Sequence, residues 1–246
     1  MFLLPRSYWE VRKTKNKGRG VFSKKDINPG IVIGDYIGKV IRPKEEDNYE
    51  KKYGFYSMYY HNNASIFPDP KTEGIHLLNH SCAPNCWMYT YKGHTLFFSI
   101  RKIFKGEELT ISYLLGPQDK DCNPCTDQCK CESINCTQTM HMPEKRYKAW
   151  VDYDEKRMKQ TKMQPVKLNV VLPPLQEYPK TLPDSSIYTL IASEQKSAVS
   201  YSDKKIPSTL KIRARIRKTG RKIKLNKLNT VIYGVIDGFL IASPIV

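Results

Sequence analysis

The residues best suited to chemistry lie between His76 and Tyr113. This stretch opens with a polar turn set between apolar runs, in which amide, imidazole and hydroxyl side chains cluster: Asn79, His80, Ser81 and Asn85. Polar groups that are buried without partners cost about 1–3 kcal/mol each, so such a turn needs internal partners or a ligand. A second turn, at residues 105–107, leads into a short strand that ends on Tyr113. These features predict the floor of a site rather than a plain core.

Seven cysteines form the second chemically distinctive set. Five of them fall within fifteen residues: Cys122, Cys125, Cys129, Cys131 and Cys136. An odd number of thiols packed so densely favours metal binding in a reducing compartment over a disulfide framework. The sequence therefore predicts an intracellular, metal-binding protein.

Short strands and turns must position these residues. Residues 8–115 alternate strand-like apolar runs with glycine and proline turns, which predicts a mainly β fold. Residues 43–52 are polar and begin with Pro43, and proline is well tolerated in the first turn of a helix, so a helix is expected there. Residues 143–162 predict a second, charged helix by the same reasoning.

The positive charge of the chain is concentrated beyond residue 140. The net charge is +17, and residues 141–230 contain 21 Lys and Arg against 8 Asp and Glu, whereas residues 1–140 contain 20 against 15. This excess indicates an acidic partner, such as nucleic acid, an acidic protein surface or an anionic membrane. The proline-rich residues 165–184 predict a linker or an extended arm. Residues 209–225 predict a basic hairpin or, equally well, a disordered basic tail.

A membrane partner is not expected. The apolar C-terminal run is too short for a spanning helix and is interrupted by Gly234, Asp237 and Gly238. The first residues lack the long apolar core and the small-residue cleavage site of a secretory signal.

Four blocks in order resemble the signatures of the SET-domain protein lysine methyltransferases: Gly18-Arg19-Gly20-Val21-Phe22, Tyr36-Ile37-Gly38, the run from Asn79 to Cys86, and the run from Gly106 to Tyr113. Cys129-Lys130-Cys131, followed by Cys136, resembles the post-SET zinc motif of that family. The resemblance covers residues 8–137. It divides the chain into a SET domain (8–115), a cysteine-rich post-SET segment (116–140) and a basic C-terminal extension (141–246) of unknown fold.

The family fold implied by this resemblance consists of small curved β-sheets with a pseudo-knotted C-terminal segment. That segment passes under a loop from the Asn79–Cys86 region, an exception to the rule that connections are not threaded. A zinc-binding post-SET lid follows it.

The resemblance also implies an activity, S-adenosylmethionine-dependent methylation of protein lysine, and the residues that carry it. The resemblance assigns cofactor binding to six residues: Gly18, Arg19, Gly20, Tyr56, Asn79 and His80. The resemblance assigns catalysis to Tyr113 and Tyr56. Phe55, Tyr59 and Tyr60 are neighbouring alternatives to Tyr56. Methyl transfer needs a neutral amine, and free lysine has a pKa of about 10.4. A narrow apolar channel disfavours the ammonium form, and a tyrosine hydroxyl can then orient the amine.

The post-SET pattern implies one zinc ion held by four thiolates: Cys82, Cys129, Cys131 and Cys136. Such a site would fold the cysteine segment over the substrate channel. Cys122 and Cys125 lie outside the pattern; the pair stays reduced, replaces one of the four, or forms a second weak site. Cys86 is interpreted as a buried apolar filler.

Some positions depart from the family pattern. His76-Leu77-Leu78 stands where many members have an arginine before the Asn-His block, and Lys39 follows the Tyr36-Ile37-Gly38 block in place of a glutamate. Ile111 and Ser112 replace an aromatic residue and an acid before the terminal tyrosine, in the wall that controls how many methyl groups fit. The degree of methylation therefore does not follow from the sequence.

The expected substrate is a histone or another basic DNA-associated protein, with the nucleus or chromatin as the compartment, or otherwise the cytoplasm. The alternative is a catalytically silent SET-like module that binds chromatin or nucleic acid through residues 205–228. A zinc-dependent hydrolase is disfavoured, because four thiolates leave the metal no open position.

Overall fold

The computed structural model describes most of the chain up to residue 191: residues 3–54, 56–60, 64–120, 122, 124–160, 167–176, 186–188 and 190–191. Residues 205–228, which carry the predicted basic hairpin or tail, lie outside the described residues. In the described part, no helix has the length and apolar character needed to cross a membrane.

The described chain is mainly β, as predicted. Its strands are short: β1 (Trp9–Lys13), β2 (Arg19–Ser23), β3 (Val32–Asp35), β4 (Lys39–Ile41), β5 (Met58–Tyr59), β6 (Ser65–Phe67), β7 (Asn79–His80), β8 (Cys86–Tyr91), β9 (His94–Ser99) and β10 (Glu108–Ile111). They form three small sheets, with strand orders β1-β2-β10-β7, β3-β9-β8 and β4-β6-β5. Single turns of 3-10 helix occupy Arg6–Tyr8 and Ile75–Leu77.

Both predicted helices are present in the structure. Helix α1 spans Pro43–Tyr53 and has proline at its first position. The Glu45 side chain accepts a hydrogen bond from the Arg42 backbone N–H at 2.9 Å, which satisfies a donor at the helix start. Helix α2 spans Glu144–Gln160, so it begins one residue after the predicted start.

Among the described residues, two clusters of buried apolar side chains form the core. The larger lies under the four-stranded sheet and includes Val21, Leu78, Phe97 and Leu109. The smaller packs on the β3-β9-β8 sheet and includes Tyr89, Phe98, Ile187, Leu190 and Ile191. Residues from the predicted C-terminal extension therefore complete the second cluster.

The described part of the proline-rich segment pairs with the edge strand β4. The backbone N–H of Val40 donates to the Val170 carbonyl, and the N–H of Asn169 donates to the Val40 carbonyl, both at 2.8 Å. Further along, the N–H of Leu175 donates to the Asp35 carboxylate at 2.9 Å. A linker or an extended arm was expected here, and the described part is an extended arm that pairs with β4, a sheet edge that would otherwise be exposed.

Candidate active site and metal centre

The site is built on the parallel pairing of β7 with β10. Thr110 lies opposite Asn79 and Ile111 lies opposite His80. The pairing continues past the strands, where the Ser81 N–H donates to the Ile111 carbonyl at 2.8 Å. Because β10 also pairs with β2, it lies between β2 and β7, which is the adjacency that the predicted pseudo-knot requires.

Asn85 fixes β10 from the side. Its amide nitrogen donates to the Glu108 carbonyl and its amide oxygen accepts from the Thr110 N–H, each at 2.8 Å. The side chain is 2% exposed, so these bonds are shielded from water. Asn85 therefore behaves as a piece of a neighbouring strand and holds the backbone that leads to Tyr113.

The glycine turn and the asparagine of the predicted cofactor site are adjacent in the structure. The Asn79 amide nitrogen donates to the Arg19 carbonyl at 3.0 Å and to the Glu108 carboxylate at 2.8 Å. A Cβ atom at Gly20 would lie 2.7 Å from the Glu108 carboxylate and 2.8 Å from that same nitrogen, so a side chain here would force the Asn79–Glu108 pair to move. Gly18 has a φ of +74° and open space where a side chain would point. The backbone of this turn is therefore exposed at Gly18, while the hydrogen bond from Asn79 holds it in place at Arg19.

His80 connects this region to the tyrosine end of the site. Its Nδ1 accepts the Tyr113 backbone N–H at 3.2 Å, and the two rings meet edge to face with centroids 5.4 Å apart. Burial, assisted by the positive charge of Lys17, lowers the pKa of His80 to about 4. The imidazole is therefore neutral near pH 7 and acts as an acceptor toward Tyr113.

A third tyrosine, Tyr36, lies close to both Tyr113 and Tyr56. The Tyr113 hydroxyl donates to the Leu78 carbonyl at 3.2 Å. The residue as a whole is 38% exposed, but desolvation of the phenol raises its pKa to about 12. The Tyr36 hydroxyl donates to the Tyr56 carbonyl at 2.5 Å. Burial raises the pKa of Tyr36, and its proximity to Tyr113 and Tyr56 raises it further. Tyr36 had no assigned role in the sequence-based prediction, although it belongs to one of the four matching blocks.

His76 is a second residue whose place in the site did not follow from the sequence. Its ring meets that of Tyr56 edge to face, with centroids 5.8 Å apart. Burial, with a contribution from Arg19, lowers the pKa of His76 to about 4. Among the described residues its buried Nε2 has no hydrogen-bond partner. The residue also lines a cavity of about 490 Å³, whose lining includes none of the residues predicted to bind the cofactor or to act in catalysis. The arginine-to-histidine departure from the family pattern was the available signal.

The four cysteines predicted to bind zinc converge. The sulfur atoms of Cys82, Cys129, Cys131 and Cys136 all lie within 4.8 Å of one another. The Cys82 and Cys129 sulfurs are 3.6 Å apart. Zinc–sulfur bonds of about 2.3 Å in a tetrahedron place the thiolates about 3.8 Å apart, so the residues present fit a zinc ion.

Hydrogen-bond donors around the Cys131 thiol favour its ionised form. Burial opposes its ionisation, but the Cys82 backbone N–H and the Ser133 hydroxyl and N–H outweigh this and lower its pKa to about 6. Cys82 also lies 3.6 Å from the Nε2 of His80, so the metal cluster shares a turn with the rest of the site.

The remaining cysteines lie elsewhere. Cys86 is fully buried in the larger core cluster, in agreement with its interpretation as a filler, and burial raises the pKa of its thiol. Cys122 and Cys125 do not replace any of the four thiols above. They lie in a separate group with Asp127 and His141.

Comparison with known proteins places this geometry in context. A model of the SET domain family matches residues 18–114. The chain is 36% identical over 136 residues to the H3 lysine-36 specific histone-lysine N-methyltransferase of Kluyveromyces lactis, and 34% identical over 136 residues to the protein of the same name from Saccharomyces cerevisiae. It is 29% identical over 140 residues to the histone-lysine N-methyltransferase trithorax of Drosophila virilis.

These alignments cover about half of this chain, 51% for the two yeast proteins and 53% for trithorax. They cover 19%, 18% and 4% of the respective relatives. The chain therefore spans less than a fifth of the length of these curated relatives.

Proposed function

From the match of residues 18–114 to the SET domain family model, we propose that this protein transfers methyl groups from S-adenosylmethionine to lysine side chains of a histone or another basic, DNA-associated protein. One observation carries the proposal: the pairing of β7 with β10. It supports a site in which the Asn79–His80 pair serves the cofactor and Tyr113, on the segment paired with it, serves the lysine.

The cofactor is held by Gly18, Arg19, Gly20, Asn79 and His80, with Tyr56 at its methyl end. Gly18 exposes bare backbone in an open turn, which lets a ligand lie against peptide donors and acceptors. The Asn79 amide is already tied to the Arg19 carbonyl, so the two walls of this turn are pre-positioned. When bound, S-adenosylmethionine supplies an electrophilic methyl group on a sulfonium ion.

The tyrosines orient the substrate amine. Tyr113 is protonated near pH 7, as an ordinary tyrosine with a pKa of about 10 would be, and desolvation raises its pKa further, to about 12. It therefore acts as a neutral hydrogen-bonding group and not as a base. Its hydroxyl interacts with the Leu78 carbonyl, and an incoming amine can take that place. The buried aromatic surroundings of Tyr36 and Tyr56 disfavour a charged ammonium and favour the nucleophilic amine. Alignment then supplies most of the rate.

Zinc has a structural role in this proposal. Cys82, Cys129, Cys131 and Cys136 hold one ion, which fastens the cysteine-rich segment to the turn that follows His80. Four thiolates saturate a tetrahedral zinc ion, so the metal takes no part in methyl transfer.

The basic extension provides a second, separable contact. Residues 141–230 contain 21 Lys and Arg against 8 Asp and Glu, and this excess favours binding to DNA phosphates near a chromatin substrate. Such binding would be sensitive to salt and would weaken when residues 205–228 are deleted. If the chain binds cofactor in calorimetry and retains DNA but transfers no methyl group, the silent chromatin-binding module replaces the proposed enzyme.

The direct test incubates the full chain with labelled S-adenosylmethionine and mixed histones, with methyl-lysine identified by mass spectrometry. We expect transfer by the wild type and a loss of at least about tenfold in Tyr113→Phe, the equivalent of about 1.4 kcal/mol of transition-state stabilisation. Tyr8→Phe, at a tyrosine beside β1 whose ring contacts Lys25, makes the same chemical change outside the residues assigned to the site and should leave transfer unchanged. Absence of transfer in the wild type, or undiminished transfer in Tyr113→Phe, refutes the proposal.

A further inference from the structure

A second group of metal-ligand side chains lies in the cysteine-rich segment, outside the four-thiol cluster. It consists of Cys122, Cys125, Asp127 and His141, whose ligand atoms all lie within 4.8 Å of one another. The two sulfurs are 2.8 Å apart and both thiols are free. His141 Nε2 lies 3.3 Å from the Cys122 sulfur and 3.4 Å from the Asp127 carboxylate. Two thiols, an imidazole and a carboxylate thus face one point.

This ligand set fits zinc. Zinc bonds to thiolate, imidazole and carboxylate measure about 2.0–2.3 Å, so the ligand atoms of a tetrahedral site lie about 3.3–3.8 Å apart. The two His141 contacts already fall in this range, and the thiol pair needs to open by about 1 Å, which side-chain rotation supplies. Magnesium and calcium prefer oxygen ligands, so the two thiols exclude them as the natural occupants.

The orientation of His141 is an independent sign of a ligand. Its Nδ1 lies 2.7 Å from the Gly116 carbonyl, which can only accept a hydrogen bond, so Nδ1 carries the proton. In the neutral ring the lone pair is then on Nε2, the atom that faces Cys122 and Asp127. Metal-binding histidines commonly make this outer hydrogen bond to a carbonyl, which fixes both the tautomer and the ring orientation.

The group lies at the opposite end of a small antiparallel ladder from the four-thiol cluster. The Cys129 N–H donates to the Gln138 carbonyl at 3.0 Å, and the Met140 N–H donates to the Asp127 carbonyl at 2.9 Å. Asp127 and His141 therefore flank one end of this ladder, while Cys129 begins the other. A metal ion at each end of the ladder would hold both ends of the cysteine-rich segment in place.

We propose that Cys122, Cys125, Asp127 and His141 form a second zinc site, which fastens the segment after Tyr113 to the start of α2. The backbone supports this role, because Leu115 is bridged to His141 and the Met142 N–H donates to the Leu115 carbonyl at 3.0 Å. Zinc binding releases the thiol protons to solvent and leaves a closed, structural tetrahedron. The inference goes beyond methyl transfer and does not depend on it.

Zinc is counted in the full chain, purified with reductant, by elemental analysis and native mass spectrometry. We expect two ions per chain in the wild type and one in Cys125→Ser. The double variant Cys129→Ser/Cys131→Ser, which dismantles the four-thiol cluster, should also keep one. Cys86→Ala removes a thiol outside both groups and should keep two. No zinc in the Cys129→Ser/Cys131→Ser variant, or equal zinc in Cys125→Ser and the wild type, overturns the proposal.

Asp127→Asn provides a second variant in case Cys125→Ser does not fold. It preserves the size of the side chain but removes the charged ligand. We expect one of its two zinc ions to be lost to a chelator concentration that leaves both in the wild type, whereas retention equal to the wild type overturns the proposal. A failure here leaves the methyltransferase assay untouched, so the two proposals fail independently.

Discussion

Replacing Asn85 with alanine tests how the site is held together. The amide of this residue makes the two 2.8 Å hydrogen bonds to the backbone of β10, at Glu108 and Thr110. Alanine removes both partners at once, and the surrounding side chains exclude water because Asn85 is only 2% exposed. The strand that leads to Tyr113 would lose its lateral support.

The magnitude follows from the two orphaned backbone groups. Each buried group left without a partner costs about 1–3 kcal/mol, so Asn85→Ala should lower the free energy of unfolding by about 2–6 kcal/mol. For a chain of this size, 1 kcal/mol corresponds to about 2–4 °C in Tm, so a loss of about 3 kcal/mol predicts a fall of about 6–12 °C.

Urea unfolding and thermal melts measure this loss directly. Asn48→Ala, on the exposed face of α1, makes the same chemical change without such contacts and should leave the free energy of unfolding within about 0.5 kcal/mol of the wild type. If Asn85→Ala is also within about 0.5 kcal/mol of the wild type, β10 is not held by this side chain and the reasoning fails.

Three further predictions concern the site itself. Gly20→Ala should weaken S-adenosylmethionine binding in calorimetry, because the new methyl group would lie 2.8 Å from the Asn79 amide nitrogen; unchanged affinity would contradict this. Stability should fall as the pH drops from 6.5 toward 4, because the unfolded chain binds protons at His76 and His80 that the folded chain does not. The loss is at most about 1.4 kcal/mol per pH unit for each histidine, and His76→Leu should remove its share of that slope in urea titrations. Tyr36→Phe should cost about 0.5–1.5 kcal/mol in urea unfolding through loss of the hydrogen bond to the Tyr56 carbonyl, and no measurable loss would show that this bond contributes nothing.

Much of the local structure could be predicted from the sequence. Helix α1 was expected at residues 43–52 and spans Pro43–Tyr53, because proline at the first turn and polar helix formers act within a few residues. Helix α2 and the mainly β character of residues 8–115 were predicted in the same way. The proline-rich segment was predicted to be extended, but its pairing with β4 was not, because prolines report local backbone conformation and not the edge that the backbone covers.

For the candidate site too, the local motifs could be predicted from the sequence, whereas the contacts between distant residues could not. The glycine turn, the Asn79–His80 pair and Tyr113 are recognisable in the sequence as blocks, and the structure brings these blocks together; their individual roles remain proposals. Tyr36 and His76 were not assigned to the site, because neither carries a local pattern that points to Tyr56.

The sequence by itself determined the kinds of chemistry available: a dense set of thiols, a buried amide–imidazole turn and a terminal tyrosine. Only the tertiary structure decided which of these groups meet. It divided six of the seven cysteines between two clusters by bringing Cys82 to Cys129 and His141 to Cys122, and it left Cys86 in the core. The physical reason is that turns and helix starts depend on neighbours within a few residues, whereas contacts between distant residues depend on how the whole core packs.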